Sequence, residues 1–332
     1  MNKNFFKNKS LLITGGTGSF GKALVNHLLI NKFPLKKIII FSRDEFKQYE
    51  MQRNFGEKYK NLRFFLGDIR DKDRLNFAFK DNDIVIHAAA LKQVSTAEYN
   101  PIEFIKTNVF GSQNVIEACI NSSVKNVIAL STDKASSPIN LYGATKLCSD
   151  KLFISSNNIK GNKDVRFSVV RYGNVMGSRG SVLQNFLDQK KRGKLLVTDK
   201  EMTRFHIMLE DAVSMVIHAL VSARGGEMFV PKLPSFYVMD LARAVCLDCK
   251  IEMTGIRPGE KLHEEMISMY ESSNTFDFQK YYLIIPNNFK KNSYGKIKFK
   301  PVEKNFIYNS KTNKDFLSIK DLKKIIHNCL EI

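Results

Sequence analysis

A glycine-rich turn near the amino terminus restricts the fold of this chain more than any other feature. The apolar run at residues 11–13 leads into TGGTGSFG at residues 14–21, and residues 22–29 carry a helical pattern of apolar side chains. Strand, glycine turn and helix in this order are typical of a dinucleotide-binding unit. The glycines let the backbone approach a pyrophosphate, and the helix amino end offers it free N–H groups.

Strand and helix patterns alternate from this turn to about residue 190. Such alternation predicts an α/β fold, a doubly wound parallel sheet of the Rossmann type, with a smaller carboxyl-terminal α/β substrate lobe. The 332 residues are enough for one large domain or two linked lobes. We predict that residues 1–175 form the dinucleotide-binding domain, to which some later segments return. Residues 176–332 would form the substrate lobe and the tail.

The cofactor-binding residues are expected in the glycine turn and at the ends of the next strands, because ligands of such sheets bind at the carboxyl ends of parallel strands. The second, third and fourth predicted strands end at residues 41, 66 and 87. The predicted cofactor-binding residues are Gly15, Thr17, Gly18, Ser19, Phe20, Gly21, Ser42, Arg43, Asp68, Ile69, Ala88, Ala89, Lys92, Tyr142 and Lys146.

The residues after the second strand favour NADP over NAD. Ser42 and Arg43 come first, and an arginine there suits a 2′-phosphate. Asp44 and Glu45 are interpreted as the first turn of the next helix, where the dipole favours acids. Asp68 is expected to receive the adenine amino group; its alternative role is to cap a helix over residues 70–79.

A second motif, STDK followed by NLYGATK at residues 140–146, predicts a catalytic site. Tyr142 and Lys146 are four residues apart, so on a helix they share one face, and the ammonium would lower the tyrosine pKa. Thr132 adds a hydroxyl at the end of the preceding strand, and Asp133 and Lys134 add an acid and a base. The alternatives are a solvated helix face for the Tyr–Lys pair and an exposed turn for Asp133-Lys134.

The net charge of +19 raises the question of a nucleic-acid partner. The lysines are spread along the chain and are densest at residues 289–314, outside any recognition motif, so we expect no nucleic-acid partner. A doubly anionic nucleotide substrate is another ligand that this positive charge would attract.

Five cysteines, at positions 119, 148, 246, 249 and 329, are too scattered for a disulfide framework. Cys246 and Cys249 form one CxxC pair without a second pair or a histidine at zinc spacing, and we interpret them as helix packing. The sequence predicts no metal site. It has no signal peptide and no apolar run of membrane-spanning length, so we expect a cytoplasmic protein in a reduced compartment, with no membrane partner.

These motifs together resemble the extended short-chain dehydrogenase/reductase family. Within it, the chain is similar to the configuration-inverting UDP-N-acetylglucosamine 4,6-dehydratases that open pseudaminic acid biosynthesis. The resemblance runs from about residue 9 to residue 267 and weakens in the tail. The matching segments are FSRDE (41–45), HAAALK (87–92), STDK (131–134), RYGNV (171–175), SRGSV (178–182), MTRF (202–205) and RPGEK (257–261).

The resemblance implies dehydration of UDP-N-acetylglucosamine with inversion at carbon 5, and an NADP that is reduced and reoxidised within one turnover. Tyr142 would take the proton of the 4-hydroxyl, Lys146 would hold the cofactor ribose, and Thr132 would hydrogen-bond the oxygen at carbon 4. Lys134, with a lowered pKa, would abstract the carbon-5 proton, and protonated Asp133 would donate to the departing 6-hydroxyl. The implied assembly is a homo-oligomer, a hexamer or a dimer.

The resemblance also implies a clamp for the substrate nucleotide, in which arginines bind a diphosphate and a glutamate accepts from ribose hydroxyls. Each clamp residue has a plain alternative: Arg204 and Arg257 at the surface, and Glu260 at the start of a helix ahead of residues 262–267. The predicted substrate-binding residues are Lys92, Asn174, Arg179, Val182, Thr198, Met202, Arg204, Arg257 and Glu260.

Two functions from other classes stay open at this point. A nucleotide-sugar 4-epimerase would use Thr132, Tyr142 and Lys146 without needing Asp133-Lys134, and a non-catalytic NADP-binding protein would need none of them. Tyr142 also separates this chain from a capsule-pathway branch that tends to lack the tyrosine. One departure from the resembled pattern is Gln93 and Ser95, where a histidine and a proline are expected.

Overall fold

The structure, a computed structural model, describes residues 3–55, 59–177, 180–286 and 300–330. Its strands are β1 (Ser10–Thr14), β2 (Lys37–Ser42), β3 (Leu62–Leu66), β4 (Ile84–His87), β5 (Asn126–Thr132), β6 (Arg166–Tyr172), β7 (Asn174–Val175), β8 (Lys194–Val197), β9 (Thr203–Ile207), β10 (Met228–Pro231), β11 (Ser235–Tyr237), β12 (Lys250–Met253), β13 (Glu265–Ile267), β14 (Thr275–Asp277), β15 (Tyr281–Ile284), β16 (Lys300–Pro301) and β17 (Tyr308–Asn309).

Helices connect most of these strands. A π-helical segment, Ile105–Phe110, joins two of them, and short 3-10 turns lie at Lys3–Phe6, Asp133–Ala135 and Met269–Asn274. The α-helices are α1 (Ser19–Ile30), α2 (Glu45–Phe55), α3 (Lys72–Ala78), α4 (Val94–Tyr99), α5 (Pro101–Phe104), α6 (Gly111–Ile120), α7 (Leu141–Ile159), α8 (Val182–Lys190), α9 (Leu209–Ser222), α10 (Val238–Val245) and α11 (Ile319–Leu330).

The large sheet has the strand order β3-β2-β1-β4-β5-β6-β10-β15-β14-β16. The seven strands from β3 to β10 are parallel, and β15, β14 and β16 add an antiparallel edge. The order reverses beside β1, which creates the crevice where doubly wound sheets bind ligands. The predicted α/β Rossmann fold is confirmed. Although β10 and the edge strands return to this sheet, the division at residue 175 stays a prediction.

The central strands are buried and mainly apolar because helices cover both faces of the sheet. All five residues of β1 are buried, as are all four of β4. Helices α1 and α9 pack together on one face, and α3, α6 and α7 pack on the other. This layering leaves the carboxyl ends of the parallel strands at one edge of the sheet.

The carboxyl-terminal lobe has its own apolar core. Helices α8, α10 and α11 contribute Phe186, Leu241 and Leu322 to it, and the strands contribute Leu195 and Phe236. Three small sheets belong to this part of the chain: β11-β9-β7, β12-β8 and β13-β17. The described helices include none that is both long and apolar enough to cross a membrane.

The interpretation of Cys246 and Cys249 as helix packing was wrong. Helix α10 ends at Val245, and the loop that follows turns back so that the two cysteine Cα atoms lie 5.5 Å apart, with the sulfurs joined as a disulfide. The remaining cysteines, Cys119, Cys148 and Cys329, are free. The helix pattern concealed this pairing because it does not show where the helix ends.

The glycine turn predicts a measurable packing constraint. Gly15 has φ +67°, and a Cβ there would lie 2.8 Å from the Ala89 backbone, whereas Gly161 has φ +60° with open space around it. Both Gly→Ala variants carry the left-handed backbone cost of about 1 kcal/mol. We expect Gly15→Ala to lower the free energy of unfolding by a further ~1–3 kcal/mol, because it also overpacks the backbone. Urea unfolding of both variants measures this, and equal losses would contradict it.

Candidate active site

One cavity of about 870 Å³ follows the carboxyl ends of the parallel strands and continues into the carboxyl-terminal lobe. With two exceptions, every predicted site residue lines it. Asp133 is fully buried behind the wall, and Arg179 lies outside the described residues. The lining residues are Gly15, Thr17, Gly18, Ser19, Phe20, Gly21, Ser42, Arg43, Asp68, Ile69, Ala88, Ala89, Lys92, Thr132, Lys134, Tyr142, Lys146, Asn174, Val182, Thr198, Met202, Arg204, Arg257 and Glu260.

The glycine turn forms an open cradle at one end of this cavity. Gly15 N donates to Phe41 O (2.8 Å) and Gly18 N donates to Gly15 O (2.9 Å), which holds the turn between β1 and α1. Gly18 caps α1 without a side-chain hydrogen bond. Gly21 packs on the turn so closely that a Cβ would lie 2.3 Å from Gly16 O. A pyrophosphate fits such a cradle because the helix amino end faces it without an intervening side chain.

Basic and acidic groups face each other after β2 and β3. The guanidinium of Arg70 donates to Asp68 Oδ2 (3.0 and 2.7 Å), and Arg43 Nη1 lies 3.8 Å from the same oxygen. Burial would raise the pKa of Asp68, but its hydrogen bonds from Arg70 lower the pKa overall. Asp71, not Asp68, caps α3 by accepting from Arg74 N (2.9 Å), so the capping alternative for Asp68 was wrong.

Ser42, Asp44 and Glu45 have local roles at this end of the cavity. Asp44 accepts from Lys47 N (3.0 Å) and Glu45 begins α2, as predicted for the first turn of this helix. Ser42 Oγ accepts from Gln48 Nε2 (3.0 Å), so the Ser42 side chain is fixed by α2.

The catalytic candidates are brought together by two neighbouring caps. Thr132 ends β5 and caps the 3-10 turn Asp133–Ala135, and Asn140 caps α7 by accepting from Gly143 N (2.7 Å). A Cβ on Gly143 would lie 2.1 Å from Lys134 O, so only glycine lets α7 approach the turn this closely. Tyr142 and Lys146 are both buried. The alternative of a solvated helix face was therefore wrong.

Lys134 lies among oxygen acceptors from distant parts of the chain. Its Nζ is 3.1 Å from Asp133 Oδ1, 3.2 Å from Glu264 Oε1 and 3.2 Å from Asn174 Oδ1. Thr132 Oγ1 donates to Asp133 Oδ1 (2.9 Å). The Lys134 side chain is 21% exposed, whereas those of Asp133 and Glu264 are 0% and 2% exposed. The alternative of an exposed turn was wrong.

The expectation that the pKa of Lys134 is lowered was also wrong. Burial lowers it, but the carboxylates of Asp133 and Glu264 outweigh burial, and the pKa is raised. Burial raises the pKa of Asp133; Lys134 opposes this rise and Glu264 adds to it. Burial would also raise the pKa of Glu264, yet the nearby cations Lys134, Arg204 and Lys261 lower it. The two shifts differ in direction because Glu264 has more cationic neighbours than Asp133.

Tyr142 is a neutral phenol in this structure, contrary to the prediction that an ammonium lowers its pKa. Burial raises the pKa of Tyr142 to about 12, although Lys134 and a hydrogen bond with Thr132 pull in the opposite direction. Burial also lowers the pKa of Lys146, and Asp150 partly restores it. The phenol and this amine therefore lie in a low-dielectric environment in which added charge shifts protons strongly.

Direct donation from Asp133 to a ligand is not available in this geometry. Asp133 does not line the cavity, and Thr132 and Lys134 lie between its carboxyl group and the open space. A proton from Asp133 can reach the cavity through either of these two neighbours.

A second ion cluster supports the site from behind. Ser131 Oγ donates to Asp150 Oδ2 (2.6 Å), and Arg171 Nη2 lies 3.5 Å from the same oxygen. The almost fully buried Arg171 also donates to Glu271 Oε1 (3.0 Å) and to Met266 O (2.9 Å). These bonds connect β5, β6 and α7 with the carboxyl-terminal part of the chain.

The predicted substrate clamp lies opposite the glycine turn. Arg204 is buried, with Nη2 3.6 Å from Glu260 Oε1, and Arg257 Nε donates to Glu260 Oε2 (3.1 Å). The surface alternative for Arg204 and the helix-start alternative for Glu260 were both wrong, because residues 265–267 form strand β13. Arg257 is 74% exposed and lies at the mouth.

Sequence reasoning missed Glu264, which lines the cavity and contacts both Lys134 and Arg204. Of two adjacent acids, Glu264 stands just before β13 and Glu265 is its first residue, and strand alternation sends neighbours to opposite sides. Glu265 accepts from Ser136 and Ser137 instead. The pair of acids after RPGEK was the available signal.

Comparison with known proteins places these motifs in context. A family model described as polysaccharide biosynthesis protein matches residues 11–286. A Campylobacter jejuni protein named UDP-N-acetylglucosamine 4,6-dehydratase (inverting) is 52% identical over 97% of this chain and 98% of its own length. A Rickettsia conorii protein named UDP-glucose 4-epimerase is 43% identical over 84% of this chain and 83% of its own.

Among solved structures, the chain is similar to the X-ray structure of Pen from Bacillus thuringiensis. The TM-score is 0.89 with 39% identity, and the match covers 98% of both chains. The resemblance predicted from the motifs is confirmed. The chain belongs to the polysaccharide biosynthesis protein family, within the extended short-chain dehydrogenase/reductases.

Proposed function

We propose that this protein is a hydro-lyase, an NADP-dependent UDP-N-acetylglucosamine 4,6-dehydratase that inverts carbon 5. The product would be UDP-2-acetamido-2,6-dideoxy-β-L-arabino-hex-4-ulose. One observation carries the proposal: a half-buried amine, Lys134, contacts two buried carboxyl groups directly beside Thr132 and Tyr142. Oxidation at carbon 4 needs only the Tyr–Lys pair, whereas removal of water also needs an acid and a base.

The cavity fits a nicotinamide dinucleotide. The glycine cradle suits the pyrophosphate, and Ala88 and Ala89 leave room for a flat ligand against the backbone. When bound, the oxidised nicotinamide supplies the hydride acceptor and a positive charge that lowers the pKa of Tyr142. Lys146, one helical turn from Tyr142, would hold the ribose.

The chain's own groups then account for the proton transfers. Tyr142 would take the 4-hydroxyl proton while Thr132 hydrogen-bonds the same oxygen. A ketone at carbon 4 acidifies the proton on carbon 5, which Lys134 would remove once it has passed its own proton to Asp133 across the 3.1 Å contact. The Asp133 proton would leave with the 6-hydroxyl by way of Thr132. Carbon 6 would then take back the hydride that carbon 4 gave up, and reprotonation of carbon 5 from the opposite face would give inversion.

The alternative is a nucleotide-sugar 4-epimerase, favoured by the 43% identity to the Rickettsia protein of that name. An epimerase needs Thr132, Tyr142 and Lys146 but gains nothing from Asp133 and Lys134. Removing these two charges from water costs free energy, and a buried ion pair usually adds nothing to stability or lowers it. A pair kept in this position therefore supports a catalytic role, as in dehydration.

Pathway, compartment and assembly are further proposals. We place the reaction at the start of pseudaminic acid synthesis for flagellin or surface glycans, in the cytoplasm.

We also propose a homo-oligomer, a hexamer or a dimer, supported by the exposed side chains of Tyr99, Ile102 and Phe110 on adjoining helical segments. Sedimentation velocity measures the assembly, and a monomer would contradict it.

Proton NMR with UDP-N-acetylglucosamine in deuterated water, without added cofactor, tests the function. We expect a new 6-methyl signal, deuterium at carbon 5 and an L-arabino ring pattern, because the cofactor is regenerated in each turnover. A methyl signal with a D-xylo pattern would contradict inversion. Conversion to the galacto epimer would identify an epimerase, and an unchanged spectrum would rule out this substrate.

Lys134→Met should abolish dehydration while NADP still binds, because methionine keeps the apolar stem but not the amine. We expect kcat to fall by about 10²–10⁴-fold, the range typical of a lost general base. Lys160→Met is the matched control, since Lys160 lies away from the cavity and donates to Val165 O. Undiminished turnover by Lys134→Met would remove Lys134 from the reaction.

Arg43→Ala should weaken NADP binding about tenfold, the value of one charge-assisted contact with a phosphate, and leave NAD binding nearly unchanged. Arg53→Ala, on the exposed side of α2, is the control. Titration calorimetry with both dinucleotides measures the preference. An equal loss for NADP and NAD would contradict the proposed 2′-phosphate contact.

A further inference from the structure

Glu264 and Asp133 both contact the ammonium of Lys134. Its Oε1 is 3.2 Å from Lys134 Nζ, and Asp133 Oδ1 is 3.1 Å from the same nitrogen. Glu264 Oε1 also lies 3.8 Å from Arg204 Nε. Glu264 Oε1 is therefore shared by two cations.

The backbone of Glu264 is held by Ser310, a residue far along the chain from Lys134. Glu264 N donates to Ser310 Oγ (2.9 Å), and Ser310 N donates to Glu264 O (2.8 Å). Ser310 Oγ in turn lies 2.7 Å from Thr203 Oγ1. The carboxylate is thus delivered from the carboxyl-terminal lobe to an amine that belongs to the large sheet domain.

Each of the two carboxyl groups keeps one oxygen atom without a hydrogen bond in the described part of the chain. Asp133 Oδ2 and Glu264 Oε2 are both buried and accept no hydrogen bond from any residue that the structure describes. Buried carboxyl oxygens without donors favour the protonated form, so two such groups beside one ammonium compete for protons. Glu264 remains ionised because Arg204 also faces it.

The charged groups around Lys134 come from every element packed against it. The 3-10 turn supplies Asp133, α7 supplies Tyr142, and β9 supplies Arg204. The segment before β13 supplies Glu264 itself, with Glu260 beside Arg204 and Lys261 nearby. Lys92, from the segment after β4, is a further basic group near Lys134. The four basic groups Lys92, Lys134, Arg204 and Lys261 thus face three carboxyl groups, Asp133, Glu260 and Glu264, so an ionised Asp133 leaves no excess of negative charge.

We propose that Glu264 is a positioning residue of the dehydration: its carboxylate holds the Lys134 amine against Asp133 and keeps one proton shared between those two groups. The inference rests on the proposed function. In the resting pair Lys134 is an ammonium and Asp133 a carboxylate. Transfer of one proton along their hydrogen bond gives an amine base and a carboxylic acid together.

The elimination of water that follows conserves atoms, electrons and protons. Lys134 takes the proton from carbon 5, and the electron pair of that C–H bond forms the carbon 5–carbon 6 double bond as the carbon 6–oxygen bond breaks. The Asp133 proton reaches the departing oxygen through the Thr132 hydroxyl, and water leaves. Lys134 is again an ammonium and Asp133 again a carboxylate, so the pair needs no outside proton.

The first test needs no substrate. Competitive acylation with acetic anhydride, read by mass spectrometry over a pH series, reports how readily Lys134 loses its proton. Glu264→Gln keeps the shape but removes the charge, so we expect Lys134 to react at lower pH than in wild type. Glu265→Gln removes the same charge one residue away and should leave the Lys134 profile unchanged. An unchanged profile in Glu264→Gln would overturn the inference.

The second test uses turnover. For Glu264→Gln we expect kcat to fall about tenfold or more with KM changed less than about threefold, because the loss lies in the transition state rather than in binding. Both limbs of the kcat–pH profile should move to lower pH, since a lost negative charge lowers the proton affinity of both Lys134 and Asp133. A merely structural role would lower kcat without moving the limbs, and that result would overturn the inference.

Glu264→Asp provides a variant that keeps the charge if Glu264→Gln folds poorly. Its carboxylate is withdrawn by one methylene, so the acylation profile should move in the same direction but less. If wild type dehydrates nothing, the proposed function fails while the acylation series still decides whether Glu264 governs Lys134. If wild type dehydrates and the acylation profiles coincide, only the role of Glu264 fails.

Discussion

The reversal of strand order beside β1 is the constraint on which the rest of the molecule depends. It opens the crevice between β1 and β4, and the crevice is usable only because Gly15 lets the turn pass against the Ala89 backbone. Every later element of the site is placed relative to this edge. Thr132 ends β5 there, and Asn174 lies two residues beyond the end of β6. The cavity is thus a product of sheet topology, and its chemistry is a product of the side chains at the strand ends.

Burial and charge oppose each other at this edge, and the structure shows which prevails at each group. For Tyr142 burial prevails, so the phenol stays neutral until positive charge arrives. For Lys134 the two carboxyl groups prevail, so the amine keeps its proton. To act as the proposed base, Lys134 would first have to lose a proton locally, and Asp133 is an acceptor in contact with it. The same contact that raises the Lys134 pKa would then supply the route by which the amine becomes a base.

Features carried by local pattern could be predicted from the sequence, and features carried by long-range contact could not. The glycine turn, the parallel strands and the shared face of Tyr142 and Lys146 follow from spacing, which local backbone geometry fixes. The rise of the Lys134 pKa comes first from Asp133 and next from Glu264. Glu264 reaches the amine only through packing of the carboxyl-terminal part of the chain. The pairing of Cys246 with Cys249 depends on where α10 ends, a boundary that apolar periodicity does not locate.

Because Glu264 belongs to the carboxyl-terminal part of the chain, the ion network around Lys134 is complete only after that part has packed. The large sheet domain alone holds Lys134 beside Asp133, an ion pair whose two members are adjacent in the chain. Arg204, Glu260 and Glu264 join only when β9 and the segment before β13 are in place. A nucleotide sugar that binds Arg204 or Glu260 would contact the same ion network that holds Lys134. Under the proposed function, substrate binding and proton placement would therefore be coupled through Arg204 and Glu264, by charge rather than by movement.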